Sequence, residues 1–239
     1  MKFMIMHKMT EEMEQGLPPD PATMAQIGEL VGEATQRGVF HGGEGLRPSS
    51  QRVHLDYRGG ARKVTRGPFT EAKELLAGFA MLRVSSAEEA LVWAEKLAAA
   101  LGETELFLGP VVEPWDLGFA PCPQSPPLRF LCMPQASDRT EGDAALDPER
   151  EARVQAIFDE MTRAGVLLTR GDLASTKRGA RVRLAGGKAT VIDGPFTESK
   201  ELIAGYAIFE LPSKAEAIDW AIRFAKIVKV REIDVRELC

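Results

Sequence analysis

One stretch of the chain sets acids, a cation and a tight turn side by side: Thr190-Val191-Ile192-Asp193-Gly194-Pro195-Phe196-Thr197-Glu198-Ser199-Lys200-Glu201. Asp193 closes a strand-like run just before a Gly-Pro turn, a place from which the backbone can bring a carboxylate into a cleft. Partly buried there, it would have a raised pKa and could carry protons. The alternative is an Asp that accepts hydrogen bonds from the amides of its own turn. Glu198 and Glu201 follow closely, and a second carboxylate beside Asp193 would push their pKa values apart. Thr197 suits the cap of a short helical turn, and Lys200 is read as a solvated cation.

The segment occurs twice. Residues 67–80 read GPFTEAKELLAGFA and residues 194–207 read GPFTESKELIAGYA, identical at eleven of fourteen positions. The offset of 127 holds well beyond the motif: Phe3 maps on Phe130, Asp20-Pro21 on Asp147-Pro148, Gly59-Gly60 on Gly186-Gly187 and Trp93 on Trp220. This is a tandem duplication. In the first copy Glu71 matches Glu198, but Arg66 stands where Asp193 stands in the second. Either the first site is degenerate, or Arg66 supplies a cation for an anionic ligand. All three histidines, His7, His41 and His54, lie in the first copy, opposite Pro134, Leu168 and Arg181. A His–Asp pair within the second copy is therefore impossible. Between copies, His7 or His41 could face Asp193.

The elements that must carry these residues read alike in both copies. Apolar runs at Phe3–His7 and Leu128–Met133 predict buried strands. Asp followed by Pro at 20–21 and 147–148 predicts helix starts, and Gly38 and Gly165 the ends. Strand-like segments follow around 39–46, 52–57 and 63–66, with Gly59-Gly60 as a hairpin turn, and again in the second copy up to Lys188–Asp193. Leu75–Val84 and Leu202–Leu211 read as central strands in which Gly78 and Gly205 mark close approach. Helices introduced by Ser86 and Ser213 carry Trp93 and Trp220 as core anchors. Each copy thus reads β-α-β-β-β-α-β, the ferredoxin-like α+β plan. One face of such a sheet still needs burial, which predicts that the copies pack sheet to sheet as an intramolecular pseudo-dimer.

Prolines 114, 121, 123, 126 and 127 crowd the joint, so the domains are expected at 1–117 and 128–239 with a stiff linker over 118–127. With 30 basic and 35 acidic side chains, a formal charge of −5, no general grip on nucleic acid or an anionic membrane is expected. No apolar run is long enough to cross a bilayer, and the start turns polar too soon for a secretory signal. Three scattered cysteines suggest a reduced, cytoplasmic protein without a metal site. Phosphate-loop, GxSxG, HExxH and CxxC motifs are absent, so no cofactor is expected.

The run from Thr190 to Glu201, with Asp193-Gly194-Pro195-Phe196 followed by Lys200-Glu201, resembles the DGPF branch of the YCII-related family, and so does the tail around Val230-Arg231-Glu232-Ile233-Asp234-Val235-Arg236. The resemblance covers both copies. It implies a dimeric α+β barrel in which two ferredoxin-like units enclose a cleft, with acid–base chemistry suspected because members carry a His–Asp pair there. On that footing the expected catalytic residues are Asp193, His41 and His7, and the expected ligand-binding residues Glu198, Glu201, Arg66 and Glu71. The expected function is a small-molecule lyase, isomerase or dehydrohalogenase-like activity. The other class is a non-catalytic module that senses a ligand or binds a partner, linked to sigma-factor regulation. Further self-association is compatible with either.

Overall fold

The structure is a computed structural model that describes residues 1–69, 75–142, 144, 147–196 and 202–239. The first repeat runs β1 (Lys2–Lys8), α1 (Glu11–Glu14), α2 (Pro21–Gln36), β2 (Phe40–Gly45), β3 (Val53–Asp56), β4 (Lys63–Arg66), β5 (Gly78–Val84), α3 (Ala87–Leu101) and β6 (Glu105–Pro110). The second runs β7 (Leu128–Pro134), α4 (Asp138–Glu141), α5 (Pro148–Arg163), β8 (Leu167–Asp172), β9 (Ala180–Ala185), β10 (Lys188–Asp193), β11 (Ile203–Glu210), α6 (Lys214–Val228) and β12 (Glu232–Glu237). Each repeat has the six strands that its strand-like segments indicate, one more than the compact β-α-β-β-β-α-β plan counts. Short 3-10 turns at Ser49–Gln51 and Thr176–Arg178 split the stretch between the helix and the hairpin into two separate strands.

The helix starts are capped as their sequences require. Asp20 and Asp147 accept from the backbone N–H of Thr23 and Arg150, each with Pro in the first turn, and Ser86 and Ser213 accept from Glu89 and Glu216. No helix among the described residues is long and apolar enough to cross a membrane.

Two six-stranded antiparallel sheets result, in the orders β10-β9-β12-β1-β11-β2 and β4-β3-β6-β7-β5-β8. The offset of 127 carries the second order onto the first, strand for strand. Neither sheet belongs to one repeat. β1 and β2 of the first repeat sit among four strands of the second, and β7 and β8 of the second sit among four strands of the first. Accordingly the chain forms one compact unit from Met1–Leu46 with Leu173–Cys239 and another within 47–172, passing between them at the equivalent points Leu46/Arg47 and Leu173. The repeats 1–117 and 128–239 are thus units of sequence, not of sheet formation. The physical reason lies in the duplication itself. β1 and β7 offer a neighbour such as β6 the same apolar edge, and β7 follows β6 directly along the chain, so the shorter closure is taken.

Each unit keeps its core between its sheet and two helices. In the first unit Phe3, Ile5, Val182, Ile233 and Val235 meet Leu30 of α2 and Trp220 and Ala221 of α6. In the second, Leu55, Leu106, Leu108 and Cys132 meet Trp93 and Leu97 of α3 and Phe158 and Met161 of α5. Both tryptophans are core anchors, and the fold class is α+β with two ferredoxin-like units. Side chains alternate along each strand, so the residues between these core positions project from the face opposite the helices. In the first unit those include Met4, Met6, Lys8, Arg181, Asp234 and Arg236; in the second they include Arg52, His54, Phe107, Leu131 and Met133.

Candidate functional site

The Gly-Pro-Phe segment is a docking element. A Cβ on Gly194 would lie 1.8 Å from the carbonyl oxygen of Thr176, and one on Gly67 equally close to that of Ser49, so only glycine fits at either place. Both Gly-Pro bonds are cis. The Phe196 N–H donates to Thr176 Oγ1 at 3.1 Å, and the Phe69 N–H donates to Ser49 Oγ at 2.9 Å. Each turn at 49 or 176 is therefore the seat on which its Gly-Pro-Phe segment rests. The phenyl rings that result are presented to residues 54 and 181, which the offset makes equivalent.

Asp193 has a different environment from either one its sequence suggests. It pairs with Ala180 across β9, which puts it on the helix side of the sheet. There its Oδ1 accepts from Lys214 Nζ, 2.8 Å away on the first turn of α6, with the carboxylate 73% exposed. It is neither buried nor closed onto its own turn. Two aspects of the sequence hid this. β10 is an edge strand, and Ala189, Val191 and Ile192 give it apolar residues on both faces, so alternation does not say where Asp193 points.

The histidines expected opposite Asp193 are not near it. His41 lies on β2 at the far edge of the same sheet, five strand spacings or about 24 Å away, with Nε2 3.1 Å from Glu210 Oε2. His7 lies on β1, three strand spacings from β10, with its ring 5.3 Å from that of Phe224. A Cβ on Gly205 would stand 2.7 Å from the Glu44 carbonyl oxygen of the neighbouring strand and equally close to His7 Nε2. That close backbone approach accounts for the mid-strand glycine, as the Gly171 carbonyl does at Gly78. Arg66 ends the edge strand β4 of the second unit, opposite Val53, and is exposed. Glu71, Glu198 and Glu201 lie outside the described residues, as do Thr197 and Lys200.

The structure instead brings together residues around position 54/181. In the second unit His54 Nε2 is 3.0 Å from Glu105 Oε2. They form a diagonal pair across β3 and β6, since His54 is directly opposite Phe107 and Asp56 opposite Glu105. The imidazole stacks on the Phe107 ring at 4.4 Å and meets the edge of Phe69 at 6.4 Å. Glu105 also accepts from Arg58 at 2.5 Å, which fixes its orientation. His54 and Glu105 are both partly open to solvent.

The same place in the first unit is ionic. Arg181 stands for His54, Asp234 for Phe107, Glu232 for Glu105 and Lys8 for Gln135. Arg181 bonds Asp234 at 2.6 and 3.1 Å and approaches Glu232 at 3.2 Å, and Lys8 Nζ bonds Asp234 at 2.8 Å. The Arg181 guanidinium lies 4.7 Å over the Phe196 ring. Lys8, Arg181 and Asp234 are at most 5% exposed. Burial pushes the Asp234 carboxyl up, but Lys8 and Arg181 outweigh it and hold the group at about 2, so Asp234 is a fixed anion near neutral pH. Burial also lifts the Cys132 thiol to about 12, which removes it as a nucleophile. Among the described residues no group of three or more His, Cys, Asp or Glu could hold a metal ion.

A signal for this site was present in the repeat. Glutamate occurs at 105 and at 232, while its partner changes from His54 to Arg181. That pattern marks a position where the two copies have diverged around a shared glutamate.

The comparisons with known proteins follow the two sequence repeats. The chain is 33% identical over 82 residues to an uncharacterised protein of Rhizobium meliloti (strain 1021), a match covering 33% of this chain and 66% of that protein. The chain thus spans just under two thirds of that relative's length. No solved structure matches. The model of the YCII-related domain matches twice, over residues 1–106 and 129–232, so the chain belongs to the YCII-related family as a tandem duplication of its domain.

Proposed function

We propose that this protein is a small-molecule acid–base enzyme of the lyase or isomerase kind, and that its working pair is His54 with Glu105 rather than any histidine with Asp193. The observation that carries this is the 3.0 Å contact between His54 Nε2 and Glu105 Oε2 on a ring held flat by Phe107. A carboxylate on one imidazole nitrogen selects the tautomer with the proton on Nε2 and leaves Nδ1 as the base. The pair then takes a proton from carbon at Nδ1, while Glu105, anchored by Arg58, stabilises the imidazolium that forms. The returned proton completes an isomerisation, and loss of a leaving group before its return completes an elimination.

The test is solvent exchange. Small carbonyl and carboxylate compounds with an acidic C–H are incubated with the protein in D2O and followed by NMR. His54→Gln is expected to lower exchange by about a hundredfold or more, and Asp193→Asn to leave it unchanged. Full exchange in His54→Gln would overturn the assignment. The second reading is a ligand-binding module without turnover, favoured by the first unit, where the equivalent place is a closed set of ion pairs around an Asp234 that stays ionised. That reading gains if no compound exchanges while some raise the melting temperature.

A further inference from the structure

We propose that Arg52 and Arg236 are one and the same positioning residue, supplied in the two units from opposite strands, and that each holds the seat on which a Gly-Pro-Phe segment rests. By the offset of 127, Arg52 corresponds to Gly179 and Arg236 to Gly109. In space the two pairs close on themselves. Arg52 precedes β3 and crosses Gly109 of β6, with its Cδ 3.5 Å from where a Cβ on Gly109 would stand. Arg236 of β12 crosses Gly179, which precedes β9, with its Cδ 3.1 Å from the corresponding point. Each arginine is 1% exposed. Each unit therefore has one niche, filled by one arginine and roofed by one glycine, and the duplication has kept the pair while exchanging its members.

Both guanidiniums reach the same partner. Arg52 Nε donates to the carbonyl of Arg47 at 2.9 Å, and an Arg236 terminal nitrogen donates to that of Ala174 at 2.6 Å. Arg47 and Ala174 are equivalent, and each lies two residues before a seat residue, Ser49 or Thr176. A connected path results in each unit, from arginine to carbonyl, to seat, to phenyl ring, to residue 54 or 181. A buried guanidinium is a costly way to pin a carbonyl unless that carbonyl must be held in place. Two independent solutions to one niche show that the demand is for the guanidinium at that point, whichever strand provides it. The inference borrows from the proposed function only the identity of the pair being positioned, and its readout is not turnover.

The test is a transplant in the full chain. Gly109 faces Arg52's own side-chain atoms at ordinary contact distances, so removing Arg52 opens room for an arginine at 109. Three variants, Arg52→Gly, Gly109→Arg and the double Arg52→Gly/Gly109→Arg, are compared with wild type by the imidazole signals of the three histidines in NMR and by urea denaturation. Arg52→Gly should shift and broaden the His54 signal, whose position depends on the Phe107 and Phe69 rings, while those of His7 and His41 stay put. Its denaturation midpoint should fall, and the double variant should recover both the midpoint and the His54 signal. A double variant no better than Arg52→Gly, or a His54 signal unmoved in Arg52→Gly, overturns the proposal. Should Arg52→Gly fail to fold, Arg52→Met keeps the stem over Gly109 and removes only the guanidinium. An unmoved His54 signal in that variant overturns the proposal equally. Failure of the solvent-exchange assay would leave these readouts intact, so the two ideas fall separately.

Discussion

His54 and Arg181 occupy the same place in their two sheets, and each faces a glutamate: His54 Nε2 lies 3.0 Å from Glu105, and Arg181 Nε lies 3.2 Å from Glu232. The second unit has Phe107 where Asp234 holds Arg181, so an arginine at 54 would meet Glu105 and two phenyl rings but no equivalent of that second carboxylate. His54→Arg should therefore cost a modest amount of stability, about 0.5–3 kcal/mol, while the protein still folds. The same variant should abolish proton exchange, because a guanidinium does not give up its proton near neutral pH. Chemical denaturation and the D2O assay report the two quantities independently.

Asp234 is the opposite case, a charge the first unit cannot spare. Asp234→Asn leaves Lys8 and Arg181 buried without their shared anion and should cost about 3–5 kcal/mol in urea denaturation at pH 7. The pH dependence has a definite sign. In the fold the carboxyl is held at about 2, below its ordinary 3.8. It therefore stabilises the protein fully above about pH 4, and that contribution drains away as the pH falls towards about 2. The gap between wild type and Asp234→Asn should narrow over that window. A gap that stays constant there would contradict the ion pairing.

The motif residues should separate sharply from one another. Gly194→Ala and Gly67→Ala each place a methyl group 1.8 Å from a backbone carbonyl oxygen, so the backbone must shift to admit it. Overpacking of this kind costs about 1–3 kcal/mol or more. Asp193→Asn, one residue away, removes only an exposed pair with Lys214 and should change stability by less than about 0.5 kcal/mol. Measured melting curves that rank Asp193 above Gly194 would reverse the structural account of the motif.

Much of this fold was legible beforehand because it rests on local signals. The caps at Asp20, Asp147, Ser86 and Ser213 are short-range chemistry, and the duplication allowed each element to be read twice. The partner of each strand was not legible, since β1 and β7 carry the same apolar pattern and a duplicated sequence is silent on which copy pairs with which. The site was hidden for a related reason. His54 and Glu105 are 51 residues apart and meet only through the diagonal register of β3 and β6. Asp193 stood out because the Gly-Pro-Phe beside it reads as a cleft-forming turn, whereas in the structure that glycine and phenylalanine dock on the turn at Thr176 and Asp193 is exposed beside Lys214.

The exchange of strands between repeats makes the last prediction, which concerns the joint. β6 and β7 are antiparallel neighbours, with Leu108 opposite Cys132, although the proline-rich joint between them separates the repeats in sequence. A protease site placed between Gln124 and Ser125 would therefore cut the chain into halves that each supply strands to both sheets. β5 of the first half is hydrogen-bonded to β7 and β8 of the second, and β1 of the first half to β11 and β12 of the second. After cleavage the halves should co-elute as one species of unchanged size and part only in denaturant, in step with loss of secondary structure. Repeats that each kept their own β1 and β2 would not be tied together by these ladders, and size-exclusion chromatography of the nicked protein distinguishes the two arrangements: halves that separate without unfolding would rule out the exchanged sheets.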